Sequence, residues 1–267
     1  MPSNGSETHS ISRTEMVWGT KNLIDFVYYT QYNTYYTKFF VQHGGYLMKK
    51  HVNNIFNSYT KESCYWAGFL AADGSIDINS TIGIELNAKD KKSVLQFKTD
   101  LASEHVICYR EVTDAYRIRF CDKEIAESLA YNFSVTVDKT HNLQLPMLPE
   151  EMYPHYIRGH FDGDGCFTEF FNNRPMASFR VYITSGSLEF LQQLCSFLIS
   201  IGVTKGSSIS KKAANCWHIQ YGIKDATSFL NYIYQDNTVE SHRLDRKYAM
   251  YKRIIIDGIR AKREIKV

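Results

Sequence analysis

No apolar stretch in this chain approaches the ~18 residues that a membrane-crossing helix needs, so no transmembrane segment is expected. Residues Met1 to Ser10 are polar and contain no apolar core, so no signal peptide is expected and an intracellular setting follows. The six cysteines (Cys64, Cys108, Cys121, Cys166, Cys195, Cys216) include no C-x-x-C pair and sit mostly within apolar stretches. They are expected to be small buried hydrophobes in a reducing compartment rather than disulfide or zinc partners. A strong charge of either sign is also lacking: 31 Lys and Arg face 28 Asp and Glu, a formal +3. That permits nucleic-acid binding without demanding it, since dedicated basic domains are more positive. No Ser-His-Asp or Cys-His arrangement is present. His155 and His160 stand five apart rather than the four of a zinc-binding helix, and are expected to pack or to lie near a ligand. An intein would need a nucleophile at residue 1 and a terminal Asn, whereas the sequence runs from Met1 to Ile265-Lys266-Val267.

What is present is a large apolar complement. With 267 residues, 44% hydrophobic content, 19 Tyr and 16 Phe, the chain can bury a sizeable core in one or two domains. The first ten residues read as a disordered tail. Residues 11 to about 60, rich in Tyr and Asn around Lys49-Lys50-His51, read as short helices. The remainder contains an internal duplication.

One copy of the repeat opens with Tyr65-Trp66-Ala67-Gly68-Phe69-Leu70-Ala71-Ala72-Asp73-Gly74. The other opens with Tyr156-Ile157-Arg158-Gly159-His160-Phe161-Asp162-Gly163-Asp164-Gly165. The shared skeleton is Gly-x-x-x-small-Asp-Gly. Period-two strands follow in both, with Ile82, Ile84 and Leu86 alternating in one and Phe179, Val181 and Ile183 in the other. An amphipathic helix comes next, over 91–101 and 187–201. A second strand pair closes on 116–120 and 217–221, and a last helix spans about 123–131 and 224–234. Each half is therefore expected to be αββαββα in an α+β fold. The boundaries are an N-terminal extension 1–58, halves 59–150 and 151–253, and a basic tail 254–267.

The motif helix is apolar nearly all round from Glu62 to Ala72, which places it in an interior. Gly68 with Ala72, and Gly159 with Gly163, lie four apart and share a face. A helical glycine costs ~0.5–1 kcal/mol relative to alanine, so close packing of the two equivalent helices is the expected compensation. Side-by-side helices would bring their C-terminal carbonyls, their negative dipole ends, Asp73 and Asp164 together. Such a concentration of negative potential calls for a cation, and oxygen ligands suit Mg²⁺. Gly74 and Gly165 are read as helix-leaving residues, where φ is often positive. The competing reading of each motif is a plain Asp-Gly turn.

These residues resemble the paired motif of the LAGLIDADG homing endonucleases in their single-chain, two-motif form. The resemblance covers about Tyr59 to Arg253. The first motif carries Ala71 at the sixth position, where the family's name has Asp; that position is not the essential acid. The stretch from His43-Gly44-Gly45 to Phe56 resembles the basic linker after a degenerate helix-turn-helix in some bacterial and phage relatives.

The resemblance implies a saddle of antiparallel strands on the DNA major groove, a long specific target in double-stranded DNA, and a staggered double-strand break by a monomer. It implies Mg²⁺ or another divalent cation held by Asp73 and Asp164, with help from the carbonyls of Ala72 and Gly163. It also implies one basic residue near each site, matched by Lys139 and Lys247; the alternative for both is a solvated surface lysine.

On strands whose apolar residues face helices, the opposite residues would face DNA: Glu85, Asn87, Arg117, Arg119, Arg180, Tyr182, His218 and Gln220. Lys205, Lys211 and Lys212 suit phosphates. The alternative is an ordinary solvated sheet face. A non-cutting DNA-binding relative or an intron-splicing maturase remains the competing function.

Overall fold

A computed structural model describes residues 50–171, 177–235 and 242–258, together with the backbone of 24–26 and 39–41. The chain divides into two compact units, Met1–Lys49 and Lys50–Val267. In the first, β1 (Ile24–Phe26) pairs antiparallel with β2 (Phe39–Val41). Strands thus stand at two places where short helices are expected; Ile24 and Phe26 in one and Phe39, Phe40 and Val41 in the other are residues that suit a pleated surface. The polar tail 1–10 lies outside the described residues.

The second unit begins at Lys50, and residues ahead of Tyr59 already pack into it. Phe56 is fully buried and meets Phe133 edge-on at 6.1 Å, while Asn54 Nδ2 donates to Ser128 Oγ at 2.8 Å. Thr60 then starts α1 (Lys61–Ala72) with a reciprocal cap: its hydroxyl accepts from Ser63 N–H, and Ser63 Oγ accepts from Thr60 N–H. The first half continues through β3 (Ser75–Ile76), β4 (Thr81–Asn87), α2 (Lys91–Asp100), β5 (Cys108–Arg110), β6 (Ala115–Cys121), α3 (Lys123–Phe133) and the single turn α4 (Lys139–Asn142). The second half repeats the order with α5 (Tyr153–Asp164), β7 (Gly165–Phe170), β8 (Ser178–Ser185), α6 (Leu188–Ser200), β9 (Ile209–Ala213), β10 (Cys216–Tyr221), α7 (Ile223–Ile233) and α8 (Asp245–Tyr251). The duplication is therefore structural as well as sequential.

Each half forms a four-stranded antiparallel sheet with matching topology, β3-β4-β6-β5 and β7-β8-β10-β9. Period-two alternation sends Ile82, Ile84, Leu86, Ile118 and Phe120 to one face of the first sheet, where they are buried with Val94 and Phe97 of α2 and Leu129 and Phe133 of α3. Phe179, Val181, Ile183, Ile219 and Tyr221 do the same with Phe190 and Leu194 of α6 and Phe229 and Leu230 of α7. After α8 the chain continues as a π-helical turn, Lys252–Ile256, with Ile254 buried, so the fold runs past position 253. Cys64 and Cys195 are buried as expected, but Cys108, Cys121 and Cys166 are exposed. Each of these three lies on a strand at a position whose side chain faces away from the core, which the apolar flanking residues conceal.

The two halves meet through α1 and α5. Every residue of α1 from Ser63 to Ala71 is buried, and so is every residue of α5 from Pro154 to Asp162. The approach is backbone to backbone and reciprocal. A Cβ on Gly68 would stand 2.0 Å from Tyr156 O, and a Cβ on Gly159 would stand 2.0 Å from Tyr65 O. Neither position can hold a methyl group unless a helix moves. We therefore expect Gly159→Leu, and to a smaller degree Gly159→Ala, to destabilise the protein by at least ~1–3 kcal/mol, the usual range for overpacking a core. Thermal unfolding should show a lowered Tm, while Lys123→Leu, at a side chain 82% exposed, should stay near wild type. An unchanged Tm in Gly159→Leu would mean that the helices do not meet there.

Candidate active site and nucleic-acid interface

Because α1 and α5 cross at their glycines, their C-terminal ends come together. A Cβ on Gly163 would stand 2.5 Å from Ala72 Cβ and 3.2 Å from Asp73 N, so the two Asp-Gly corners adjoin. Asp73 is the C-cap of α1, and Asp164 is the last residue of α5. The corner glycines are needed for a reason other than the expected one. Among the described residues, positive-φ glycines are Gly202, Gly206 and Gly258, and Gly165 has φ −80°. What excludes a side chain is the chain doubling back over the last helical turn. A Cβ on Gly74 would lie 2.6 Å from Leu70 Cα, and one on Gly165 would lie 2.4 Å from Phe161 O.

Two lysines close the ends of the helices. Lys139 Nζ donates to the carbonyls of Ala71 and Ala72, each at 3.0 Å. Lys247 Nζ donates to Phe161 O at 2.5 Å, Asp162 O at 2.8 Å, Gly163 O at 3.4 Å and Gly165 O at 2.6 Å. Most of these carbonyls belong to the last turns of α1 and α5, where a cation also meets the negative dipole end; Phe161 O accepts from Gly165 N–H as well, and Gly165 O lies just beyond the helix. Both lysines are buried, at 8% and 5% exposure, so neither is a solvated surface residue. The carbonyls of Ala72 and Gly163, expected to face a metal, thus already accept from ammonium groups; a carbonyl oxygen has a second lone pair to offer.

The charges are strongly coupled to burial. Withdrawal from water pushes the Asp164 carboxyl up to about 6, and the neighbouring Asp73 charge adds to that. Burial also raises Asp73, against the lowering pull of Lys247, Lys139 and Arg246. Burial lowers Lys139 and brings Lys247 down to about 8, each opposed by the acids. Two carboxyl groups that resist ionising together, beside two lysine amines that burial disposes against protonation, make a site whose charges are costly to hold away from bulk water. His160 is buried against Phe190, with ring centroids 4.5 Å apart, and burial followed by Lys139 and Lys247 takes it down to about 3. It is a neutral packing residue. Among the described residues no cluster of three or more His, Cys, Asp or Glu side chains could hold a metal. Any cation here rests on Asp73, Asp164 and main-chain oxygens.

Three buried or flanking groups carry no assignment in the sequence reading. Asp162 is fully buried and accepts from Tyr65 Oη at 3.0 Å, Tyr234 Oη at 3.3 Å and Leu244 N at 2.7 Å. Arg158, 1% exposed, donates to Ile233 O at 2.8 Å. Arg246 reaches from the second half to Asp90 Oδ2 of the first at 3.0 Å. Only Asp162 left a trace in the sequence, at the sixth position of its motif.

The sheet faces opposite the core carry most of the residues expected to meet DNA. On the first sheet Glu85 pairs across the strands with Arg117, and Asn87 lies further along the same face. These side chains already engage one another. Glu85 accepts from Arg110 Nη1 at 3.0 Å, lies 3.8 Å from Arg117 Nη1, and accepts from Thr113 Oγ1 at 3.1 Å. Arg119 crosses Gly83, where a Cβ would stand 2.6 Å from its Cγ, and lies 3.6 Å from Asp77. Asn87 caps the short 3-10 turn that follows β4, accepting from Lys89 N–H.

The second sheet is built differently. Arg180 lies over the Phe170 ring at 4.4 Å, Tyr182 meets His218 edge-on at 5.5 Å, and Gln220 pairs opposite Tyr182. Lys205 is exposed in the loop after α6. Lys211 and Lys212 are not equivalent. Lys211 pairs with Trp217, on the side of the core residue Ile219, and its ammonium sits 5.5 Å from the Trp217 ring centre. A β-bulge at Cys216/Trp217 interrupts the pairing, and it is Lys212 whose charge reaches Asp164.

Residues 151–263 match the model of a LAGLIDADG-like domain. Solved structures of LAGLIDADG proteins are similar to this chain. The homing endonuclease I-GzeII in complex with its DNA target gives a TM-score of 0.50 at 12% identity, over 75% of this chain and 92% of that one. The meganuclease I-CpaMI bound to uncleaved DNA gives 0.49 at 16% identity over 75% and 93%. I-SmaMI bound to an uncleaved DNA target in the presence of calcium ions gives 0.49 at 12% over 73% and 90%. No curated protein matches the chain by sequence. The two-sheet, two-motif architecture is that of the LAGLIDADG homing endonuclease fold.

The charge balance at the helix ends has a measurable sign. A carboxyl raised from its ordinary value to about 6 binds a proton more readily in the folded state, so stability falls as pH rises between about 4 and 6. Above that window the ionised Asp164 destabilises the metal-free fold. Asp164→Asn should therefore stabilise the protein at pH 7 by on the order of 1–2 kcal/mol once solvent screening is allowed for, read as a raised Tm, and give no gain at pH 4. A gain that is equal at both values would place its cause elsewhere.

Proposed function

We infer that this chain, which carries a LAGLIDADG-like domain and the homing-endonuclease fold in both halves, is a site-specific double-strand DNA endonuclease. The observation that carries this reading is the convergence of Asp73 and Asp164 at the crossing of α1 and α5, each beside a buried lysine. A solvated Asp-Gly turn would need neither the glycine contact nor the buried ammonium groups.

Hydrolysis of a phosphodiester needs an activated water, stabilisation of negative charge on the phosphate, and a stabilised leaving 3′-oxygen. Asp73 and Asp164 would hold the divalent cation, expected to be Mg²⁺, with the free lone pairs of the Ala72 and Gly163 carbonyls. The raised Asp164 carboxyl fits that use, because a cation relieves the cost of ionising it next to Asp73. When bound, the cation would supply charge neutralisation on the phosphate and a more acidic water. The chain's own groups do the rest. Lys139 and Lys247 put positive charge beside the acids in a site sheltered from solvent, where it acts on a developing anion more strongly than in water. Each half offers one Asp and one Lys, which suits one strand of a duplex per half.

Target recognition falls to the sheet faces, since a β-ribbon fits the major groove. Arg117, Arg119 and Glu85 would read one half-site, and Arg180, Tyr182, His218 and Gln220 the other, with Asn87 flanking. Lys205, Lys211 and Lys212 suit the phosphate backbone. Both motifs reside in one polypeptide, so the active species is a monomer.

The decisive experiment selects a target from a randomised duplex library and assays its cleavage. Mg²⁺ should support cutting and EDTA should abolish it. The double variant Asp73→Asn, Asp164→Asn should bind the same duplex and leave it intact. Equal cutting by the double variant would remove the site from the chemistry, and binding without cutting by the wild type would identify a non-cutting relative. Arg117→Ala and Arg180→Ala should relax base preference in different half-sites, each by ~1–3 kcal/mol. A uniform loss across all sequences would make them phosphate contacts.

A further inference from the structure

Lys247 is held by four carbonyls, but something must bring its helix there. Leu244 is the N-cap of α8, and its carbonyl accepts from Lys247 N–H at 3.1 Å. The Leu244 N–H in turn donates to Asp162 Oδ2 at 2.7 Å. Asp162 thus grips the segment one helical turn before the lysine, while its own backbone carbonyl accepts from the lysine ammonium. Its remaining capacity goes to Tyr65 of α1 and to Tyr234 just after α7, so four separate segments are pinned at one carboxylate. A second tie lies two residues upstream. His242 Nε2 is 2.7 Å from Asp100 Oδ2 of the first half, an oxygen that also accepts from Trp66 Nε1 at 2.6 Å.

The first half places its lysine by other means. Ala71 stands where the second half has Asp162, and it offers no polar side chain. The chain after Lys139 is instead tied to α6: Ser187 Oγ donates to Leu143 O at 2.7 Å, and Leu145 N donates to Gln193 Oε1 at 2.7 Å. One lysine therefore depends on a buried carboxylate and the other does not.

Resting on the nuclease reading of this site, we propose that Asp162 is a positioning residue for Lys247, and that it sets the cutting rate of one DNA strand without setting that of the other. Nothing in its contacts points at substrate; its tie to the lysine runs through the Leu244 segment. Asp162→Ala removes the grip on Leu244. Asp162→Asn keeps it: the amide oxygen can still accept from Leu244 N–H and Tyr65 Oη, and the amide nitrogen can donate to Tyr234 Oη.

The test uses full-length protein, labelling of lysines by an amine-reactive ester read by mass spectrometry, and end-labelled duplex for strand-resolved cleavage. In Asp162→Ala the released Lys247 reaches solvent and should be labelled several-fold faster, whereas in Asp162→Asn it stays seated and protected. Labelling of Lys139 should change in neither. Asp162→Ala should slow one strand by about tenfold or more, leave the other near wild type and accumulate nicked product, since small misplacements are costly to rate. Asp162→Asn should restore the balance between strands.

Unchanged labelling of Lys247 in Asp162→Ala would overturn the proposal, and so would equal slowing of both strands. If the labelling changes as stated in a protein that cuts no duplex, the positioning stands and the nuclease reading falls. Should Asp162→Ala not fold, Asp162→Leu fills the space of the side chain without offering Leu244 N–H an acceptor and makes the same comparison.

Discussion

The approach of α1 to α5 at Gly68 and Gly159 is the constraint on which the rest of this structure depends. Two helices can come so close only where neither carries a side chain, and the Tyr156 and Tyr65 carbonyls occupy the space that a methyl group would need. That contact fixes where the helices end relative to each other. It therefore fixes where the Asp-Gly corners lie, and the two sheets hang from those corners through β3 and β7. A loose hydrophobic interface would tolerate sliding. A backbone contact with no side chain to adjust does not, because close-packed interiors transmit a displacement instead of absorbing it.

Placing two acids at adjoining helix C-termini is unfavourable in itself, and the structure shows how the chain manages this. Lys139 and Lys247 satisfy carbonyls that would otherwise point into the same space, and they offset the carboxylates from beneath. Neither lysine can leave without exposing orphaned carbonyls and unpaired acids together. The site is thus stable enough to exist without being electrostatically content. Catalytic centres commonly sit in that condition, since relaxation of a perturbed group can then be coupled to ligand arrival.

Much of this was legible in the sequence, and the reasons are specific. Period-two alternation located Ile82, Ile84 and Leu86 on the core face because a strand buried on one side leaves no other arrangement. The Gly-x-x-x-small spacing announced the helix contact because only a close crossing favours glycine inside a helix. The Asp-Gly pairs located the corners, but not the reason for the glycines: steric contact with the last helical turn at Leu70 and Phe161 leaves no mark distinct from positive φ. Lys211 and Lys212 are neighbours on β9, where alternation alone would separate them, but the register shift opposite Lys212 is a property of pairing and not of composition. Arg246 and Asp162 were missed because their partners lie 156 and 82 residues away, at Asp90 and Leu244. The contact of Arg246 with Asp90 exists only once the two halves have docked, and that of Asp162 with Leu244 only once the second half has closed on itself.

The reciprocal glycine contact also bears on how the two repeats can change over time. On the sheet faces a substitution in one half meets neighbours of its own half, so the first could become a lattice of ion pairs around Glu85 while the second became aromatic around Phe170 and Tyr182. At the helix crossing a substitution in either repeat strikes the backbone of the other. The axis behaves as shared property, where drift in one copy must be matched in its twin, and the sheets are private to each. A duplicated chain of this kind can diversify what each wing meets while its hinge line stays locked to a pattern neither copy can abandon alone.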